Sequence, residues 1–167
     1  GLSRSALEGL PISIKDLFDV ASETTLAGSV VRQGAPAATE DAEVVRRLQA
    51  AGAIVIGRTN MTEFAYSGLG LNPHYGTPLN PWDRVTGRIP GGSSSGAAVS
   101  VADGMAVAGI GSDTGGSVRI PAALCGLTGF KPTARRISMR GVLPLSTYLD
   151  SVGPIAPTVA CCAALDS

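Results

Sequence analysis

The sequence predicts an α/β fold. Residues 10–16, LPISIKD, alternate Ile12 and Ile14 with Ser13 and Lys15, the period-two pattern of a short strand. Residues 41–51 set Val44, Val45 and Leu48 on one helical face and the charges on the other, and the apolar run at residues 53–57 follows at once, as a strand buried on both faces would. Residues 97–103 and 105–111 pair a second helix with a second buried strand, and helix alternating with buried strand is the α/β pattern.

In order along the chain, a loop of small and polar residues at 21–39 separates the first strand from the first helix. Asp41 is the expected N-cap of that helix and Gly52 its stop. Pro73, Pro78, Pro81 and Pro90 disfavour regular structure across residues 72–90. Residues 91–96, GGSSSG, form a loop that opens the second helix, which Gly104 ends. Residues 112–116, SDTGG, form a tight turn into a short helical segment at 117–125. The two glycine-serine turns are expected on one side of the sheet. After Tyr148 the chain reads as irregular until a helix begins at residues 158–165.

Composition narrows the function classes. The chain has 167 residues, 44% hydrophobic and 16% charged, and its 13 basic and 13 acidic side chains cancel, which excludes a charged disordered tail. Lys131, Arg135, Arg136 and Arg140 form the one loose basic cluster, so no direct nucleic-acid binding is expected. No run reaches the ~18 to 20 apolar residues of a membrane span, which reads as no membrane association and a cytoplasmic protein. Cys125, Cys161 and Cys162 are odd in number and two are adjacent, so reduced thiols are expected. With His74 as the single histidine, neither a metal site nor a cofactor is expected.

The glycine loops carry the chemistry. No lysine follows Gly96, so residues 91–96 are no phosphate cradle. Gly92, Ser94 and Gly96 satisfy GxSxG, but a nucleophile elbow needs a later histidine and His74 precedes it. A serine hydrolase with a lysine base remains, and it needs a neutral lysine near pH 7, which burial supplies. Only Lys15 and Lys131 are lysines. Lys15 ends an apolar strand, where burial would make it a base; the plainer alternative is a solvated edge-strand charge. Lys131 reads as a surface or backbone-bonding residue. In residues 113–117, DTGGS, small residues let backbone N–H groups converge on an anion or oxyanion, and Ser117 is the candidate nucleophile; a purely structural turn is the alternative.

Gly-Gly-Ser-Ser-Ser-Gly at 91–96, Gly-Ser-Asp-Thr-Gly-Gly-Ser-Val-Arg-Ile-Pro at 111–121 and Gly-Leu-Pro-Ile-Ser-Ile-Lys-Asp at 9–16 strongly resemble the amidase signature family. Residues 57–64, 80–83 and 125–133 add to the resemblance, which covers nearly the whole chain in the family's order. It implies a mixed, mainly parallel sheet flanked by helices, a single partial domain over residues 1–167, truncated at both ends. It also implies a Ser-Ser-Lys triad: Ser117 as nucleophile, Ser93, entered by a cis peptide, as proton relay, and Lys15 as base. The N–H groups of Thr114, Gly115, Gly116 and Ser117 would form the oxyanion hole, with Ser94, Asp113 and Arg119 in support.

The implied activity is hydrolysis of a small-molecule carboxylic amide through a Ser117 acyl-enzyme, with a homodimer or a partner subunit left open. Two alternatives stand beside it. One is the amidase component of a glutamyl-tRNA amidotransferase, against which Ala134, Arg140 and Tyr66-Ser67-Gly68-Leu69 depart from that component's usual tyrosines and Met-Gly-Ser-Ser run. The other is an inactive binding or assembly module that keeps the fold.

Overall fold

A computed structural model describes Ser3 and residues 5–167. Nine elements follow in order: β1 (Pro11–Lys15), α1 (Glu43–Ala50), β2 (Ile54–Thr59), α2 (Ser95–Ala102), β3 (Ala108–Asp113), α3 (Arg119–Leu124), β4 (Thr128–Gly129), β5 (Ser151–Ala156) and α4 (Val159–Asp166), with 3-10 turns at Val30–Arg32 and Glu63–Ala65. The strands form one mixed sheet in the order β2-β1-β3-β5-β4. β1 runs parallel to both β2 and β3, while β5 runs antiparallel to β3 and β4. Among the described residues no helix is long and apolar enough to cross a membrane.

Strand alternation divides the sheet into two faces. Ile12, Ile14, Ile110 and Val152 join Val44, Val45 and Leu48 of α1 and Cys162 of α4 in the larger core. On the opposite face Ile155 packs with Ala97, Ala98, Val118 and Ala122 from α2, α3 and the turn before α3. That second layer lies unusually close to the sheet. A Cβ at Gly111 would meet Ser94 Oγ at 2.5 Å and Ser94 Cβ at 2.9 Å, so glycine there lets the serine loop rest on β3. Ser13 Oγ and Ser100 Oγ, 2.9 Å apart, stitch β1 to α2 on the same face.

Four expectations are corrected. The strand after α1 is not buried on both faces: β2 is the edge of the sheet, with Ile54 53% and Ile56 50% exposed. Asp41 does not cap α1. Ala42 occupies the N-cap without a side-chain bond, and Asp41 Oδ1 instead accepts from the Ala21 N–H at 2.8 Å. β3 starts later than its apolar run and extends through Ser112 and Asp113, which therefore belong to the strand and not to the following turn. The stretch after Tyr148 is not irregular either, because β5 is buried along its whole length. Gly153 and Pro154 disguise it. A Cβ at Gly153 would collide with the Phe130 carbonyl, and Pro154 contributes only an acceptor, to the Phe130 N–H at 3.0 Å.

The three cysteines are free. Lys131 Nζ donates to the Pro132 carbonyl at 2.7 Å, the backbone-bonding role read for it.

Sheet position predicts how each strand tolerates truncation. Ile14→Ala, in the interior strand and fully buried, is expected to cost about 3 kcal/mol, whereas Ile56→Ala on the edge strand should cost less than about 1 kcal/mol. Urea midpoints of the two variants check the contrast.

Candidate active site

Lys15 is the last residue of β1, flanked by β2 and β3, and is 0% exposed. The edge-strand alternative therefore fails. Its Nζ lies 2.6 Å from Ser93 Oγ and 2.8 Å from Ser112 Oγ. Burial strips water from the amine and pulls its pKa from 10.5 down to about 7, against the opposing charges of Asp113 and Asp150. A large fraction of Lys15 is thus neutral at neutral pH.

Ser93 is presented by the loop before α2. The Gly92–Ser93 peptide is cis. The Gly92 N–H donates to the Gly68 carbonyl at 2.8 Å, and the Ser93 carbonyl accepts from the Thr62 N–H at 3.1 Å. A Cβ at Gly92 would meet Gly70 N at 2.6 Å and Thr62 Oγ1 at 2.8 Å, so only glycine lets residues 62–70 close over this loop. Ser94 is buried, with Oγ 3.4 Å from the Ser112 carbonyl, which removes it as an exposed elbow nucleophile.

The second turn is built around Asp113. Oδ1 accepts from the Gly116 N–H at 2.8 Å and Oδ2 from the Val118 and Arg119 N–H groups at 3.1 and 3.3 Å. The Arg119 guanidinium completes a two-point clamp at 3.0 Å on each oxygen. Burial pushes this carboxyl up, but the Arg119 guanidinium and the amides of Val118, Gly116 and Arg119 outweigh it and hold Asp113 below the usual carboxylate range.

The two turns meet where the Ser94 N–H donates to the Ser117 carbonyl at 3.2 Å. Ser117 is 7% exposed, and its hydroxyl has no hydrogen-bond partner among the described residues. Lys15 and Ser93 are thus joined directly, whereas Ser117 is tied to the serine loop through its backbone. The oxyanion set divides as well. The Gly116 N–H is occupied by Asp113, while those of Thr114, Gly115 and Ser117 have no protein acceptor among the described residues.

Two partners were missed in the sequence. Ser112 lies inside the 111–121 motif, near the end of β3, with its Oγ 2.8 Å from Lys15 Nζ. Asp150 precedes β5, the strand that Gly153 and Pro154 concealed. It accepts from Thr114 Oγ1, and its other oxygen accepts from the Leu145 and Ser146 N–H groups at 2.8 and 3.0 Å. Among the described residues no three His, Cys, Asp or Glu side chains come together as a metal site, and His74 Nε2 lies 3.1 Å from Glu63.

The Amidase family model matches residues 1–167. The chain is 50% identical over 153 residues to AtzE, a component of the 1-carboxybiuret hydrolase of Pseudomonas sp. (strain ADP), covering 92% of this chain and 33% of that protein. It is 48% identical over 159 residues to the A component of the glutamyl-tRNA(Gln) amidotransferase of Anaeromyxobacter dehalogenans, covering 95% of this chain and 32% of that protein. A chain solved in a vestigial protein complex, described as revealing the evolutionary origins of an s-triazine catabolic enzyme, superposes with a TM-score of 0.94 at 48% identity, over 97% of this chain and 35% of that one. The sequence thus spans about a third of the length of the relatives it matches.

Asp113→Ala is expected to cost about 2 to 4 kcal/mol, because three backbone amides lose a buried acceptor together. Arg119→Ala, whose partner keeps those amides, should cost markedly less; chemical denaturation of both variants measures the difference.

Proposed function

The chain belongs to the amidase family, and from that premise we propose that it forms the core of an amide hydrolase whose nucleophile is Ser117. The observation that carries this reading is the fully buried Lys15 amine, 2.6 Å from Ser93 Oγ and with a pKa near 7. Neutral Lys15 accepts the Ser93 proton, Ser93 accepts that of Ser117, and Ser117 Oγ bonds to the amide carbon. The carbonyl oxygen takes the negative charge, facing the unoccupied N–H groups of Thr114, Gly115 and Ser117. As the C–N bond breaks, Ser93 returns a proton to the departing ammonia or amine. Water then attacks the acyl-enzyme by the same relay and releases the carboxylate. This relay requires the Ser117 hydroxyl, which has no partner among the described residues, to come within hydrogen-bond reach of Ser93 Oγ.

The proposed substrate is a small carboxylic amide, in keeping with a relative that belongs to a carboxybiuret hydrolase. Two matched relatives are named as components of larger enzymes and a third chain was solved in a complex, which supports a partner subunit. The three free cysteines support a reducing, cytoplasmic setting.

Release of ammonia from glutamine, as the A component of an amidotransferase, is the second reading, supported by 48% identity to such a protein. Arg140 argues against it. Where that component usually has a tyrosine, this side chain is held at 2.8 Å by Glu43 of α1. An inactive module of the same fold would leave Ser117 unreactive.

A fluorophosphonate probe is expected to label Ser117, located by peptide mass spectrometry, and Ser117→Ala to abolish both labelling and turnover. Absence of labelling in folded protein would overturn the assignment.

Lys15 is inactive as a base when protonated, so kcat/KM should rise with pH through about 7 with the slope of one proton. Lys15→Met should lower turnover by about 10³-fold and leave the protein folded, since an apolar side chain replaces a buried amine. A pH-rate profile and a thermal melt of the variant check both halves.

A further inference from the structure

The turn at residues 113–119 is fastened unevenly. Asp113 anchors its downstream half through the amides of Gly116, Val118 and Arg119. Upstream, the backbone N–H groups of Thr114 and Gly115 have no acceptor among the described residues, and the anchor there is a side chain: Thr114 Oγ1 donates to Asp150 Oδ1. We propose that Asp150 is a positioning residue for amide hydrolysis, holding the Thr114 end of the turn so that its free N–H groups stay in place for the substrate oxyanion. This inference rests on the hydrolase reading above.

Asp150 is built as a fixed post. It is 8% exposed, its Oδ2 accepts from the Leu145 and Ser146 N–H groups, and its own N–H donates to the Ser146 carbonyl at 3.1 Å. The next residue, Ser151, pairs with Asp113 across the β3–β5 ladder, so the post stands on the strand beside the one that carries the turn. If Asp150 served only to fold residues 145–150, Oδ2 alone would suffice. The second oxygen is committed to Thr114, and that bond separates a positioning role in catalysis from a merely structural one.

Asp150 also faces Lys15 electrostatically. Asp113 of β3 and Asp150 are the carboxylates that favour the protonated amine, while the Ser93 and Ser112 hydroxyls against it carry no charge. Removing the Asp150 charge therefore makes Lys15 easier to deprotonate.

The test uses Thr114→Val, which keeps the β-branched shape and removes the hydroxyl, together with Asp150→Asn and the double variant of the full protein. Thr114→Val and Asp150→Asn are each expected to lower kcat by about 10- to 100-fold with KM within about 3-fold. The double variant should be no worse than the less active single one, because one link is lost only once. The acid limb of the pH-rate profile should move to lower pH in Asp150→Asn and stay in place in Thr114→Val. Wild-type kcat in Thr114→Val, or losses that multiply in the double variant, would overturn the proposal. If Asp150→Asn does not fold, Thr114→Val decides alone. Failure of the hydrolase reading is separately visible, as wild-type protein whose Ser117 resists the fluorophosphonate.

Discussion

The site depends on one buried amine. Lys15 carries no exposed surface, and a lysine without water keeps its proton poorly. The charges of Asp113 and Asp150 compensate in part, and the balance falls at about 7 instead of 10.5. Sheet order creates this condition. With β1 at the edge, water would reach the end of the strand and restore an ordinary, permanently charged lysine. Because β2 and β3 flank β1 on both sides, water is kept from the amine, and on the proposed reading this residue serves as the base at neutral pH.

A buried amine is useful only if a hydroxyl can reach it, and here the small residues of the chain matter. Gly111 leaves room on β3 for Ser94, while Ala97 and Ala98 let α2 settle on the sheet. Gly92 admits residues 62–70 behind the serine loop. The end of β3 then serves two purposes with consecutive residues. Ser112 completes the contacts of Lys15, and Asp113 gathers the amides of the turn that carries Ser117. A shift of one residue in the β1–β3 register would separate the amine from both hydroxyls.

Much of this was legible in the residues. The alternation of Ile12 and Ile14 against Lys15 identifies β1 and puts the lysine at its end, and the two glycine-serine turns announce themselves by composition. What escaped did so for physical reasons. Local apolarity made residues 53–57 resemble a doubly covered strand, yet only tertiary position decides which strand is the edge, and β2 is that strand. Gly153 and Pro154 imitate a loop because they answer to the Phe130 carbonyl and N–H, a partner more than twenty residues away. Once β5 was hidden, so was Asp150 at its threshold, since no sequence spacing links residue 150 to residue 114. The Gly116 N–H shows the same limit of composition, which reveals a run of backbone amides but not that Asp113 Oδ1 accepts from one of them.

That occupied amide explains how the turn is organised. Four consecutive N–H groups without acceptors would leave a glycine-rich segment free to sample many conformations, and aligning them on an oxyanion would cost entropy at each turnover. On the proposed reading, the bond from Gly116 to Asp113 fixes the segment and leaves the N–H groups of Thr114, Gly115 and Ser117, which have no acceptor among the described residues, to face the oxyanion. Among the described residues the Ser117 hydroxyl has no hydrogen-bond partner. The Ser117 backbone carbonyl is already tied to the Ser94 N–H at 3.2 Å, which leaves the side chain free to turn about its own bond. On the proposed reading, hydrogen bonds to Asp113 and Ser94 fix the backbone that carries the nucleophile, and the reaction is left one side chain to orient.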